Sequence, residues 1–598
     1  MYLRISAVII SLIFLFTVLK KTILTHDTGR QSCRCPPHEP CWPSTSEWNL
    51  FNESINGRLI HLRPVGAVCH GQEFNDDACN YVKERANNSA WRASEPATLQ
   101  SANWESSWDG CGSCDISSYI DEPCHQGRIP VYAVLAESAS EIQTAVRFAK
   151  RRNLRLVVKN TGHDSMGRSS GPASLQINTN RLKSIETVSD FIPHGGSVSL
   201  GQAVTLGAGT LALEISQVAV DEGFNILLGL CTTVGVAGGF IQGGGASLLS
   251  PTYGLASDNA LEFNVVTAEG DFVVANEVQN QDLFWALRGG GGGTFGITVN
   301  TTIRTFPDIP GIVFTLTAAI SRQDEQFPDV EHALWEFATE VINILPDLKR
   351  SDNRTGAAIV SGIQEDGVQV VTEILFPNTS DTTSVQDQIA PLLARLADLG
   401  FSSVYTANTT LYPQISTYFN QPRPLDLAGT GRIEGSVLIS STLFSSPSGT
   451  PHITHVLTNL TYRVGDLIEI FLSGGGQVRA NKGIVNSAVL PNWRESEMLI
   501  TFRRIMPSSA TTKHFVDSQM PVLRGLETPR MGSFVNTADP DEPDFQRAFW
   551  GENYPRLYQT KKRWDPDGLF IVNLGVGSEG WDREGICRTG GSESREYL

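Results

Sequence analysis

Charge is scarce in this sequence. Of its 598 residues 18% are charged, against 40% hydrophobic, which is too apolar for a disordered chain and ample for packed cores. Positive charge is the scarcer sign: 46 Lys and Arg stand against 63 Asp and Glu, for a formal charge of -17. Phosphate backbones would be repelled, which argues against a nucleic-acid partner. No Gly-Lys dipeptide occurs, so a P-loop is excluded. No His-Glu-x-x-His occurs and no paired Cys/His ligand spacing suggests a metal. Internal repeats and low-complexity tracts are missing as well. The apolar run over residues 5–19, flanked by Arg4 and by Lys20 and Lys21, falls short of the roughly 20 residues of a comfortable membrane span. Residues 1–24 therefore read as a signal peptide, with an uncleaved signal anchor as the alternative. The expected location is outside the cell or in the secretory lumen, membrane-anchored only if residues 5–19 are retained.

What is present is unevenly placed. Cys33, Cys35, Cys41, Cys69, Cys79, Cys111, Cys114 and Cys124 crowd the beginning, while Cys231 and Cys587 stand alone. Residues 25–126 thus form a Cys-rich segment with up to four disulfides of undetermined connectivity in an oxidising compartment. Cys111-Gly-Ser-Cys114 lacks the strand-then-helix setting of a thioredoxin site, so a structural role is expected. Seven Asn-x-Ser/Thr sequons, at Asn52, Asn87, Asn300, Asn353, Asn378, Asn408 and Asn459, fit a glycosylated surface.

From Arg128 the pattern becomes mixed helix and strand. Residues 129–135 read as a strand, and Ser138-x-x-Glu141 is a capping box for a helix with Ile142, Ala145, Val146 and Ala149 on one face and Lys150 to Arg152 at its C-terminal end. Residues 154–158 read as a buried strand before a polar loop over 159–171. A strand over 198–206, a helix over 211–221 and a hairpin of 263–266 with 272–275 follow. Beyond Pro310, helices over 330–344 and 384–399 alternate with strands over 368–376 and 467–472.

Several motif lookalikes fail on context. Gly167-x-Ser169-x-Gly171 resembles a nucleophile elbow, but an alternating strand follows where a helix must open. Gly207-x-Gly209-x-x-Ala212 lies between strand and helix as a dinucleotide fingerprint requires, yet no acidic residue follows about 20 positions on, so an NAD-dependent dehydrogenase is a weak third reading. Gly291-x-Gly293-x-x-Gly296 runs into a strand. Four glycine-dense loops remain, at Gly162, at 234–239, at 243–245 and at 289–293. Such loops let backbone N–H groups approach a polyanion or a flat ring, so one large phosphate-bearing cofactor would satisfy all four. His163 and Cys231, each an ordinary hydrogen-bonded or buried residue when taken singly, lie in or beside them.

Lys159-Asn-Thr-Gly-His163-Asp and the run from Gly229 through Cys231 to Gly245 resemble the flavin loops of the berberine-bridge-enzyme-like FAD-linked oxidoreductases. That group belongs to the vanillyl-alcohol-oxidase, PCMH-type FAD-binding superfamily. Tyr253-Gly-Leu-Ala-Ser-Asp258-Asn, Asp282 to Gly289, Trp550-Gly-Glu-Asn-Tyr554-Pro-Arg-Leu, Asp565 to Phe570 and Gly575 to Trp581 match as well. The resemblance is close over 127–310 and 545–581 and loose between them. It implies an α+β chain: a PCMH-type two-subdomain FAD-binding domain over 127–310, an inserted antiparallel-sheet-plus-helices substrate domain over 311–535, and a C-terminal segment, 536–598, that completes the FAD domain.

The resemblance further implies an oxidase with FAD bonded twice, His163 to the flavin 8α methyl and Cys231 to its C6. Asn160, Thr161, Gly162, Val234, Gly235, Gly238, Gly243, Gly244 and Asn553 would contact the cofactor. Hydride would pass from an alcohol, sugar or secondary-metabolite intermediate to the flavin, and dioxygen would reoxidise it to hydrogen peroxide. With Cys231 on the flavin, nine cysteines remain, and Cys587 is expected to be the unpaired one. The base is harder to place. Phe549 and Trp550 stand where many relatives carry a tyrosine, Phe534-Val-Asn536-Thr537 lacks a phenol and a carboxylate seen in others, and Ala246 replaces a common His or Tyr. Tyr554 is the remaining candidate for the catalytic role. These departures support the alternative of a catalytically weak, secreted flavin- or ligand-binding glycoprotein.

Overall fold

The computed structural model describes residues 33–107, 112–118, 120–421, 428–505 and 513–589; the apolar run at 5–19 and Cys111 lie outside them. The first sheet has four strands in the order Leu59–His61, Tyr132–Leu135, Ser174–Asn178, Arg155–Lys159, the last three parallel. Helix Ala139–Arg151 crosses over between two of them. Ser138 accepts the Glu141 N–H at its start, and Ile142, Ala145, Val146 and Ala149 are buried, the stripe that an amphipathic crossover helix buries against a sheet. The Cys-rich segment is built into this layer: its strand Leu59–His61 pairs antiparallel with Tyr132–Leu135, and Phe51 stacks on Phe148 of the helix with ring centroids 4.1 Å apart.

Four disulfides join Cys33 to Cys587, Cys35 to Cys41, Cys69 to Cys79 and Cys114 to Cys124. The expectation that Cys587 is left over is therefore corrected: it closes onto Cys33, from the other end of the chain. Cys231 takes part in none of the four.

A second sheet has the order Ile185–Val188, Ala203–Gly207, Ile297–Arg304, Ala260–Val266, Phe272–Asn276 and is antiparallel throughout. That register disposes of the dinucleotide fingerprint. Strand Ala203–Gly207 does lead into helix Ala212–Glu222, but no parallel strand follows, and a Cβ on Gly209 would lie 2.1 Å from the Asn180 carbonyl oxygen. The glycine serves backbone packing there.

The third sheet is a seven-stranded antiparallel one, ordered Tyr405–Tyr412, Gly311–Ser321, Gly367–Pro377, Gly356–Ile363, Leu467–Leu472, Ser496–Ile505, Arg432–Ser440. Successive residues of a strand face opposite ways. Ile433, Ile468, Ile470, Ile500 and Phe502 pack with helices Val330–Ser351 and Thr382–Asp398 in one core. Phe471 and Leu499 belong to a second core shared with the glycine-loop residues Val236, Ala237 and Ile241. The sheet is thus a partition between a helical layer and the glycine loops. Among the described residues no helix is long and apolar enough to cross a membrane, and no cluster of His, Cys, Asp or Glu has the makings of a metal site.

Candidate active site

The glycine loops and the near face of the seven-stranded sheet enclose one cleft. From the loops come Asn160, Thr161, Gly162, His163, Cys231, Val234, Gly235 and Gly238; from the sheet come Arg432, Glu434, Glu469, Phe471, Leu499, Thr501 and Arg503. The strand register aligns the second set, since Glu434 lies opposite Arg503, Glu469 opposite Thr501 and Phe471 opposite Leu499, all on one face.

The loops are shaped by one side chain. Asn160 is wedged against Gly235 and Gly238, where a Cβ would lie 2.6 Å from its Oδ1 and 2.4 Å from its Nδ2 respectively. Gly238 also holds φ -100°, ψ -126°, outside the regions that side chains allow. Gly238→Ala is accordingly expected to displace Asn160 and reduce the flavin-to-protein absorbance ratio of purified protein severalfold; an unchanged ratio would show that the loop absorbs the methyl group.

His163 Nε2 meets Thr233 Oγ1 at 2.7 Å. Burial, then Arg432 and Arg503, push its pKa down to about 3, so the ring is neutral at any physiological pH. The same two guanidiniums also act on Cys231, which brings the histidine loop, the cysteine loop and the charged sheet face to one end of the cleft. There Glu434 accepts from Ser165 Oγ and, at 2.5 Å, from Arg503 Nε, while Arg503 Nη2 lies 2.9 Å from Glu469. Burial would raise the Glu434 pKa, but Arg503, Arg432 and Ser165 outweigh it and hold the carboxyl below its ordinary value.

Other expected site residues lie elsewhere. Tyr554 does not line the cleft: its phenol donates to Glu579 at 2.7 Å, its ring packs beside Trp550 and Tyr558, and burial together with Glu579 drives its pKa far up. Helix Tyr554–Trp564 fixes this orientation, so the catalytic assignment to Tyr554 is corrected. Asn553 donates to the Val489 carbonyl at 2.8 Å, outside the cleft wall. Gly243 and Gly244 stand behind the wall, Gly243 against Asn536, whose Oδ1 would be 2.0 Å from a Cβ. The charged trio Glu434, Glu469 and Arg503 escaped sequence reading. Its only signal is a charged residue inside an otherwise apolar strand, as in Leu467-Ile-Glu469-Ile-Phe471.

Four buried polar atoms of the cleft lack a hydrogen-bond partner among the described residues: Asn160 Oδ1, Arg168 Nη1, Gln242 Oε1 and Thr537 Oγ1. Buried polar groups are normally satisfied, and two donors with two acceptors around a glycine-lined slot suit a cofactor that carries both phosphates and a heteroaromatic ring.

Fold, cleft and matches define the class: the chain belongs to the FAD-linked oxidoreductases of the vanillyl-alcohol-oxidase and berberine-bridge type. Residues 130–276 match the family described as FAD binding domain, and residues 533–577 match berberine and berberine-like. It is 55% identical over 541 residues to the flavin-dependent oxygenase ucdF of Aspergillus ustus, covering 90% of this chain and 98% of that one. It is 42% identical to the FAD-linked oxidoreductase easE of Arthroderma otae, over 94% of this chain and 92% of that one. Among solved structures it resembles a VAO-type flavoprotein of Myceliophthora thermophila, with TM-score 0.81 at 29% identity over 93% of this chain and all (100%) of that one. Berberine bridge enzyme of Eschscholzia californica shares the fold, with TM-score 0.61 at 16% identity over 88% and 98% of the two chains.

Proposed function

We propose that the chain is an oxidase whose FAD is bonded to both His163 and Cys231. Hydride comes from an alcohol, sugar or secondary-metabolite intermediate, and dioxygen takes up the electrons as hydrogen peroxide. The observation that carries this reading is that His163 and Cys231 line one cleft together with the four unsatisfied polar atoms. The bound flavin would supply the hydride acceptor. Asn160, Thr161, Gly162, Val234, Gly235 and Gly238 hold the cofactor. Phe471, Leu499 and Phe534 keep water from the reacting end.

Glu434 takes the substrate's acidic proton. The other cleft carboxylates are placed less well: Asp164 accepts the backbone N–H groups of Met166 and Ser169 within its own loop, and Glu469 shares Arg503 with Glu434 but has no hydrogen bond to the histidine loop among the described residues. Glu434 bridges the histidine loop, through Ser165, and the sheet. A buried carboxylate in that place favours turnover over an inert binder. Residues 127–310 and 536–598 would form the flavin lobe and 311–535 the substrate lobe. The four disulfides support export with residues 1–24 as signal, and the exposed sequons at Asn87, Asn353, Asn378, Asn408 and Asn459 would carry N-glycans.

Acid precipitation tests the two bonds. The pellet is expected to be yellow for the wild type and for His163→Ala and Cys231→Ala alone, and colourless for the double variant. A colourless wild-type pellet sinks the covalent reading, and reduction by substrate without peroxide release in air would sink the oxidase reading.

A further inference from the structure

We propose that Gln100, Ser89 and Thr233 form a hydrogen-bond relay that selects the nucleophilic nitrogen of His163, which makes the Cys-rich segment part of the machinery that attaches the cofactor. This rests on the reading of His163 as a flavin tether.

The relay can be followed one proton at a time. Gln100 is fully buried, and its Nε2 donates to the carbonyls of Ser89 at 3.0 Å and Thr161 at 3.2 Å. Carbonyls only accept, so both amide hydrogens are committed and the amide orientation is fixed. Its Oε1 must accept, and it does so from Ser89 Oγ at 3.0 Å. A hydroxyl has one hydrogen. That of Ser89 is spent on Gln100, so Thr233 is the donor in the contact between the two hydroxyls. The hydrogen of Thr233 is then spent too, so Thr233 Oγ1 accepts from His163 Nε2. A neutral imidazole has a single ring proton, and the relay places it on Nε2. Nδ1 keeps its lone pair and has no hydrogen-bond partner among the described residues. The frame is anchored to the tether loop itself, because the Gln100 N–H donates to the carbonyl of Gly162 at 3.0 Å.

Attachment forms one C–N bond from Nδ1 to the flavin 8α methyl carbon. One C–H bond of that methyl and the Nε2–H bond are broken, and dioxygen takes up the two hydrogens with their two electrons as hydrogen peroxide. Nδ1 can attack only while it is unprotonated. Without Ser89, the Thr233 hydroxyl is released to donate to Nε2, the ring proton moves to Nδ1 and attack is blocked. Gln100, Ser89 and Thr233 are thus positioning residues.

The test uses Cys231→Ala protein, in which His163 would be the sole tether, loaded with FAD in air. Ser89→Ala, with Asn87→Gln as the control for the sequon it also removes, Thr233→Val and Thr233→Ser are added to it. Acid-stable flavin is followed over time, with total bound flavin and melting temperature measured alongside. Ser89→Ala and Thr233→Val are expected to attach flavin at least tenfold more slowly at unchanged total flavin, and Thr233→Ser to restore the rate. The flavin peptide of the Cys231→Ala protein, which keeps the relay intact, is expected to carry its bond at Nδ1 by NMR. A bond at Nε2, or Ser89→Ala attaching at the background rate, overturns the relay and leaves the tether standing. If the Cys231→Ala protein holds no acid-stable flavin, the tether reading falls and takes the relay with it.

Discussion

Glu434→Gln is expected to lower kcat by about 10²- to 10⁴-fold, the usual contribution of a positioned general base, with acid-stable flavin and peptide fold intact. The amide keeps the shape of the carboxylate but cannot take a proton. The pH profile gives the sharper check. In the wild type, burial alone would raise the carboxyl pKa, but Arg503, Arg432 and Ser165 hold it below the ordinary value. The base form therefore survives as pH falls, and the acid limb of kcat is expected below the ordinary glutamate pKa of about 4.3. Arg503→Met leaves burial with less opposition, so its acid limb should move toward higher pH. Stopped-flow flavin reduction across pH reads both effects. A Glu434→Gln protein reducing its flavin at the wild-type rate would remove Glu434 from the chemistry.

Asp258→Ala should cost about 3–5 kcal/mol of stability, the usual penalty for removing one member of a buried ion pair and stranding the other. Asp258 belongs to the family-matching motif Tyr253 to Asn259, yet it does not line the cleft. Both its oxygens accept from Arg494, at 2.6 and 2.7 Å, and Asn481 adds a third bond at 2.9 Å. The two charged side chains are 1% and 7% exposed, so water cannot replace the lost partner. Because the pair joins the second sheet's entry turn to the segment before strand Ser496–Ile505, its loss should also loosen the partition sheet over the cleft. Urea unfolding of Asp258→Ala, with and without Arg494→Met, measures the effect. The double variant should recover part of the loss, since no charge is then stranded. A loss below about 1 kcal/mol in Asp258→Ala would show that Arg494 finds solvent.

Much of the first lobe was legible because local chemistry decides it. Ser138, the apolar stripe through Ala149 and the basic last turn specify helix Ala139–Arg151 without help from the rest of the chain. The alternation after Gly171 likewise rules out a nucleophile elbow, and strand Ser174–Asn178 stands there. The loop glycines were legible as a group, because a backbone with no Cβ in so many adjacent places has few uses other than close approach. Cys587 and Tyr554 were misread for one shared reason. Whether a thiol finds Cys33 or a phenol finds Glu579 depends on which distant segment arrives beside it.

Sequence by itself determined that His163 and Cys231 sit in or beside glycine-dense loops, since each motif is contiguous in the chain. Only the tertiary structure decided what surrounds them. Glu434, Glu469 and Arg503 come from three strands paired by register, and Gln100 and Ser89 come from a segment tied down by its own strand and disulfides. No local pattern encodes such neighbours, because a side chain's protonation and hydrogen-bond direction are set by the groups it meets in space.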